Sequence, residues 1–120
     1  MSGSEGVSAA EAAKAKQLVV IEPGPRELFV DIDNEEDMER CRQAVIFLGK
    51  HVVSKKQSPS SSGRRGRYHV TITLDHDLGN IERICLQAIV GSDWRRELLS
   101  YKAHRRGVAT PSVFFERPKP

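Results

Sequence analysis

A chain of 120 residues with 38% hydrophobic content is the size of one domain with a single core, and it contains no apolar run near the ~20 residues that a membrane span requires. The net charge is only +3, but the charges are segregated: residues 31–39 contain six acidic and no basic residues, whereas residues 50–67 contain six basic and no acidic ones. Such a basic stretch favours polyanionic partners, and we expect no membrane partner.

The chain opens with residues 1–24, an Ala/Ser/Glu/Lys-rich lead that we expect to be flexible, without a signal-peptide pattern. The stretch LFVDID that follows alternates with a period of two, which predicts a strand with Leu28, Val30 and Ile32 on its core side. Asp33 or Asn34 can then cap a helix that ends at Gly49. Cys41 and Cys85 lie in apolar helical patterns, so we expect buried thiols and a cytoplasmic protein.

A second strand is predicted at residues 51–55, followed by a basic Ser/Gly/Arg loop at residues 57–67. Residues 68–74, YHVTITL, form the clearest strand pattern in the chain, with Val70, Ile72 and Leu74 on one side. The next predicted helix has its apolar stripe at Ile81, Ile84, Cys85, Ala88 and Ile89. A short helix over residues 92–101 and a final strand over residues 112–116 complete the pattern, before a tail at residues 118–120.

This order of elements predicts an α+β protein with a ferredoxin-like, RRM-like split βαβ arrangement. In that fold a four-stranded antiparallel sheet carries two to three helices on one face. The first and third strands lie side by side at the centre, and the last strand flanks the first. We therefore expect a single RRM-like domain over residues 25–117, with one open sheet face.

The period-two patterns place four chemically active side chains on that open face: Asp31, Asp33, His69 and Glu116. Two carboxylates at positions i and i+2 of one strand face are suited to Mg²⁺ or Mn²⁺, which prefer oxygen ligands and retain waters for a phosphate substrate. Sequence alone therefore predicts a metal-assisted phosphate or nucleotidyl-transfer site beside the basic loop.

The same stretches resemble the motifs of archaeo-eukaryotic primases. LFVDID resembles their first motif, SGRRGRYHVTI their serine-glycine-arginine loop and strand-borne histidine, and VFFE their third, acidic motif. The resemblance implies that Asp31, Asp33 and Glu116 ligate divalent metal. It also implies that His69 and the loop from Ser62 to Arg67 bind the triphosphate of an incoming nucleotide, in the replication of a phage or other mobile element.

The predicted contacts to nucleotide or single-stranded nucleic acid are basic, polar and aromatic: Ser62, Arg64, Arg65, Arg67, His69, Lys55 and Phe29. Expected partners are nucleoside triphosphates, single-stranded DNA or RNA, a replication protein such as a helicase, and a second copy of the chain. Three alternatives stay open. The domain could be a non-catalytic RRM-like nucleic-acid-binding module, or a regulatory or protein-interaction domain. The His69-Val70-Thr71 triplet also fits the His-x-Thr element of two-histidine phosphoesterases.

Overall fold

The computed structural model describes residues 17–60 and 63–116. Within these residues, five strands and three helices follow in chain order: β1 (Val19–Ile21), β2 (Glu27–Ile32), α1 (Glu35–Leu48), β3 (Val52–Pro59), β4 (Tyr68–Leu74), α2 (Asn80–Ile89), α3 (Trp94–Arg105) and β5 (Phe114–Glu116). A 3-10 turn, Gly49–His51, joins α1 to β3. Of the helices in the described part, none has the length and apolar character needed to cross a bilayer.

The centre of the fold is an antiparallel sheet with the strand order β2-β4-β3. Val30 pairs with Val70, and Asp31 pairs with His69. One face of this sheet carries the buried aliphatic side chains of β2 and β4, and Met38 and Cys41 of α1 and Val90, just past α2, pack against them. The predicted mixed α+β class, the pairing of β2 with β4 and the core side of both strands are confirmed. The predicted central position is correct for β4 but wrong for β2, which is an edge strand.

The predicted four-stranded sheet is wrong, because β5 does not pair with β2. It pairs instead with β1, which the sequence analysis had placed inside the N-terminal lead, in a separate two-stranded antiparallel sheet. Within that pair Val19 lies opposite Glu116, and Ile21 lies opposite Phe114. Residues 1–16 and the tail at residues 118–120 lie outside the described residues.

The free edge of β2 has no room for a fourth strand because side chains and loops already satisfy its backbone groups. The Phe29 N–H donates to Gln87 Oε1 at 2.7 Å, and the Phe29 carbonyl accepts from Arg96 Nη1 at 2.8 Å. The Asp31 N–H donates to Ser92 Oγ at 3.0 Å, and the Asp31 carbonyl accepts from the Asp93 N–H at 2.8 Å. Since an unpaired sheet edge needs such partners, these groups replace the ladder that β5 would have made.

A buried polar cluster holds those edge partners in place. The Glu97 carboxylate is 3% exposed and accepts hydrogen bonds from Gln87 Nε2 at 2.8 Å, from Ser92 Oγ at 2.7 Å and from Arg96. Arg96 also donates to the Val113 carbonyl at 3.1 Å, which links α3 to the segment before β5. The cluster explains why polar residues occupy the inner faces of α2 and α3.

The predicted apolar stripe of α2 is therefore only partly correct. Ile84 is buried, but Ile81 is 44% exposed, Ile89 is 65% exposed and Cys85 is exposed. The inner face of this helix carries Arg83 and Gln87 instead, because they bond the β2 edge and the chain before it. Of the two thiols expected to be buried, only Cys41 is.

The β3–β4 hairpin is longer than the sequence indicates. Residues 57–59, assigned to the loop, continue β3, where Ser58 lies opposite His69 and Pro59 opposite Tyr68. Pairing with the strongly apolar β4 outweighs the polar composition of this segment. The connecting loop is closed at its base by a hydrogen bond from the Ser60 N–H to the Arg67 carbonyl at 3.0 Å.

Candidate functional site

A cleft of about 390 Å³ lies on the side of the sheet opposite the aliphatic core. Strand β2 and the residue after it contribute Asp31 and Asp33, β4 contributes His69, and the end of the loop contributes Arg67. The remaining wall combines polar and apolar side chains from the start and middle of α3 and from the segment around β5: Asp93, Arg96, Leu99, Ser100, Pro111, Val113, Phe114 and Phe115, with Ser60 at the loop. Four of the predicted site residues thus share one cavity.

Three parallel rings are stacked at this cleft, and two of them, His69 and Phe114, line the cavity. The Phe114 ring lies 4.2 Å from the Phe29 ring and 4.0 Å from the His69 ring, centroid to centroid, with interplanar angles of 3° and 2°. By covering Phe29 and His69, Phe114 closes part of the face that we expected to be open. The expected helix layer also differs, because α3 contributes to this cleft rather than to the aliphatic core.

The His69 imidazole lines the cleft but is almost completely buried. It is 7% exposed, and its Nδ1 atom is buried without a hydrogen-bond partner in the described part of the chain. Burial, helped by the nearby Arg96 charge, lowers the pKa of His69 from 6.5 to about 4, although Glu116 acts in the opposite direction. The imidazole is therefore neutral at pH 7 and can exchange a hydrogen bond but offers no positive charge.

Asp31 lies beside this imidazole, with its Oδ1 3.9 Å from His69 Nε2. Its carboxylate is one-third exposed, and burial raises its pKa above the usual 3.8. Arg96 opposes this shift, whereas the negative charges of Asp93 and Asp33 add to it. The carboxylate is thus in a place where a bound cation would relieve both its desolvation and the repulsion from its neighbours.

Asp33 is held by two guanidinium groups from different parts of the fold. Its Oδ1 lies 3.0 Å from Arg67 Nε, and its Oδ2 lies 3.7 Å from Arg95 Nη2. The sequence analysis considered Asp33 as a possible helix cap, but Asn34 has that role, because its side chain accepts from the Asp37 N–H at 2.9 Å. The carboxylate of Asp33 therefore does not cap the helix, and it lines the cleft.

The other predicted residues are not in the cleft. Glu116 is half-buried in β5 and influences His69 through its charge, but it does not line the cavity. Phe29 is 3% exposed and cannot offer a stacking surface, because Phe114 covers it. Lys55 pairs with Ile72 and lies on the helix side of the sheet, where its charge reaches Cys41. Arg64 and Arg65 lie exposed on the loop beyond the cleft, and Ser62 falls outside the described residues.

The sequence analysis missed Asp93, the third carboxylate of the cleft. It precedes α3 and caps it, since its Oδ1 accepts from the Arg95 N–H at 3.2 Å. Its side chain also pairs with Arg95 Nε at 3.4 Å. The Gly-Ser-Asp sequence before α3 indicates the start of a helix. That Asp93 lies beside Asp31, however, depends on the hydrogen bonds that α2, α3 and the segment between them make to the edge of β2, and no local sequence pattern reveals these.

The chemistry available here is that of clustered carboxylates beside guanidinium groups and a neutral imidazole. Within residues 17–60 and 63–116, no group of three His, Cys, Asp or Glu side chains is arranged to hold a metal ion. Asp31 and Asp33 nevertheless fit Mg²⁺ or Mn²⁺, because these ions commonly take one or two carboxylates and complete their shell with waters and substrate phosphates. Arg67 supplies the matching group for a phosphate.

Comparison with known proteins gives this chain no family: no protein-family model, no curated protein and no solved structure matches it.

Proposed function

We propose that the cleft binds a nucleoside triphosphate together with Mg²⁺ or Mn²⁺, and that the chain is a small primase-like nucleotidyltransferase domain. The observation that carries this proposal is the meeting of Asp31, Asp33, Arg67 and His69 in one cavity. These residues come from two segments, 31–33 and 67–69, that are distant in the sequence. They are also residues that the resemblance to primases selects.

In this proposal Asp31 and Asp33 would hold the cation, which would neutralise phosphate charge and promote attack of a 3′-hydroxyl on the α-phosphate of the nucleotide, with pyrophosphate as the leaving group. Arg67 contacts the phosphates, for which a guanidinium is well suited. His69 is neutral, so it orients a phosphate oxygen or a water through a hydrogen bond and adds no charge. Leu99 and Val113 add apolar surface to the wall of the cleft.

Calorimetric titration with ATP and dATP in Mg²⁺ tests the binding step. Asp31→Asn keeps the shape of the side chain and should weaken binding by about tenfold or more, as expected when a ligand position is lost. The matched control is Asp77→Asn, because Asp77 is exposed outside the cleft and pairs with Arg26. Equal affinities of wild type and Asp31→Asn, or affinity that survives EDTA, would contradict the proposal.

The catalytic step is tested by incubating the protein with a single-stranded template, Mn²⁺ and labelled nucleotides. We expect dinucleotide products that disappear in Asp31→Asn. A protein that binds Mg²⁺-nucleotide without forming products would retain the binding half of the proposal and lose the enzyme half.

The second candidate is a non-catalytic nucleic-acid-binding module. Two basic residues favour it: Arg65 is exposed on the loop, and Lys56 of β3 lies opposite Thr71, which puts it on the cleft side of the sheet. This candidate predicts binding of single-stranded DNA that needs no metal, falls steeply with salt and weakens in Arg65→Ala. The buried Phe29 opposes it, since the sheet then lacks an aromatic platform for bases.

A further inference from the structure

In the protein without ligand, Asp33 and Arg67 form an ion pair with each other. Each side chain therefore occupies the position that the other's proposed ligand would take. The Asp33 carboxylate, proposed above to hold a cation, lies 3.0 Å from Arg67, the residue proposed to hold a phosphate. Both side chains are partly shielded, with 23% and 34% of their areas exposed. An ion pair that is partly shielded from water is stronger than a fully solvated one. Breaking it therefore lowers the affinity of a ligand that binds to either side chain.

We infer that the Asp33–Arg67 pair is an exchange switch, which makes the binding of cation and the binding of triphosphate depend on each other. The inference rests on the proposed function. A cation alone must displace Arg67 from Asp33 and leave a guanidinium without its partner. A phosphate alone must take Arg67 and leave Asp33 with the more distant Arg95, at 3.7 Å, against the negative charges of Asp31 and Asp93. When both ligands bind, Asp33 contacts the cation and Arg67 contacts the phosphate. The loss of one ion pair is then offset by two new contacts.

Arg95 allows the switch to open without unfolding the site. Its guanidinium lies 3.7 Å from Asp33 Oδ2 but also pairs with Asp93 at 3.4 Å, so it keeps a partner when Asp33 is taken. Arg67 stands at the base of the loop, and its backbone carbonyl is fixed by the Ser60 N–H, so the side chain can turn while the main chain stays. The moving part is therefore one side chain.

The switch predicts opposite effects of one substitution on the two ligands. Arg67→Ala removes the nearer of the two guanidinium groups at Asp33, so Mn²⁺ alone should bind more tightly, by at least about fivefold, the lower end of ordinary coupling between sites. The same substitution removes the phosphate contact, so Mn²⁺-ATP should bind about tenfold more weakly. An arginine that only binds phosphate, or only supports the fold, would not improve the binding of Mn²⁺.

The experiment measures free Mn²⁺ by electron paramagnetic resonance, with and without ATP, for wild type, Arg67→Ala and the control Arg105→Ala, which changes an exposed arginine of α3. Tighter Mn²⁺ and weaker Mn²⁺-ATP binding in Arg67→Ala alone support the switch. If wild type and control bind Mn²⁺-ATP but Arg67→Ala leaves the Mn²⁺ affinity unchanged or lower, the switch is overturned and the proposed function survives. If wild type binds no Mn²⁺-ATP, both fail.

A second measurement on the wild-type chain avoids dependence on the folding of a variant. The ¹⁵N resonance of Arg67 Nε should move little with Mg²⁺ alone or ATP alone and should shift clearly when both are present. A shift of the same size with ATP alone would show that Arg67 leaves Asp33 without help from the cation, and would overturn the switch.

Discussion

Replacing His69 by phenylalanine keeps a flat ring against Phe114 and removes the only group in the ring stack that titrates. In the folded chain the pKa of His69 lies at about 4, because the ring is buried and close to Arg96. In the unfolded chain it should return to about 6.5. Between these values the unfolded chain binds more protons than the folded one, so acid favours unfolding.

The size of this effect follows from the two pKa values. A difference of about 2.5 pKa units corresponds to roughly 3 kcal/mol, and we expect about 2 kcal/mol because water in the cleft screens part of the interaction. The contribution of neutral His69 is complete above pH 6.5 and is lost as the pH falls to about 4. His69→Phe should lack this loss.

Urea unfolding of both proteins at several pH values between 7 and 4 measures the effect. The difference in unfolding free energy between wild type and His69→Phe should change by about 2 kcal/mol over this range, in the direction that weakens the wild type in acid. Other titrating groups are common to both proteins and cancel. A difference that stays constant, or an NMR titration of His69 with a midpoint near 6.5, would refute the reasoning.

Three further predictions concern the fold. Glu97→Ala should destabilise the protein by about 3 kcal/mol in urea unfolding, because it leaves the partly buried Arg96 without its carboxylate. The exposed Glu39→Ala is the control and should have no measurable effect. Gly91→Ala should lower the unfolding free energy by about 2 kcal/mol more than Gly107→Ala, because both glycines have positive φ but a Cβ at residue 91 would lie 2.6 Å from the Asp37 carbonyl oxygen; equal losses would contradict this. Hydrogen bonds from His76 and His51 lower the pKa of Asp75 to about 2. The unfolding free energy of the wild type should therefore exceed that of Asp75→Asn by its full amount above pH 3.8, and this difference should disappear as the pH falls towards 2.

The period-two pattern was sufficient to predict the neighbourhood of Asp31 and His69. Their side of the strand follows from the aliphatic residues between them, and adjacency of the two strands follows from the order of elements. Arg67 could be placed near them because it directly precedes β4. These expectations needed only local periodicity and one topological rule.

The position of β5 could not be predicted in the same way. An apolar tripeptide such as Val19–Ile21 after an Ala- and Lys-rich lead is too short to stand out as a strand, so its pairing with β5 had no signal. The side-chain hydrogen bonds that occupy the edge of β2 could not be predicted from the sequence either. Helix α2 has apolar residues at helical spacing, and nothing local shows that Gln87 rather than Ile89 faces inward. Glu116 was placed in the cleft because β5 was expected beside β2.

Paramagnetic NMR decides whether the cleft is a metal-nucleotide site. Traces of Mn²⁺ added to the ¹⁵N-labelled protein with ATP should broaden the amide resonances of Asp31, Asp33 and Asp93 first, and Asp31→Asn should abolish this broadening. If the broadening is centred instead on the surface cluster of His51, Asp75 and His76, or if Asp31→Asn leaves it unchanged, the cleft does not bind the cation and the proposed function is wrong.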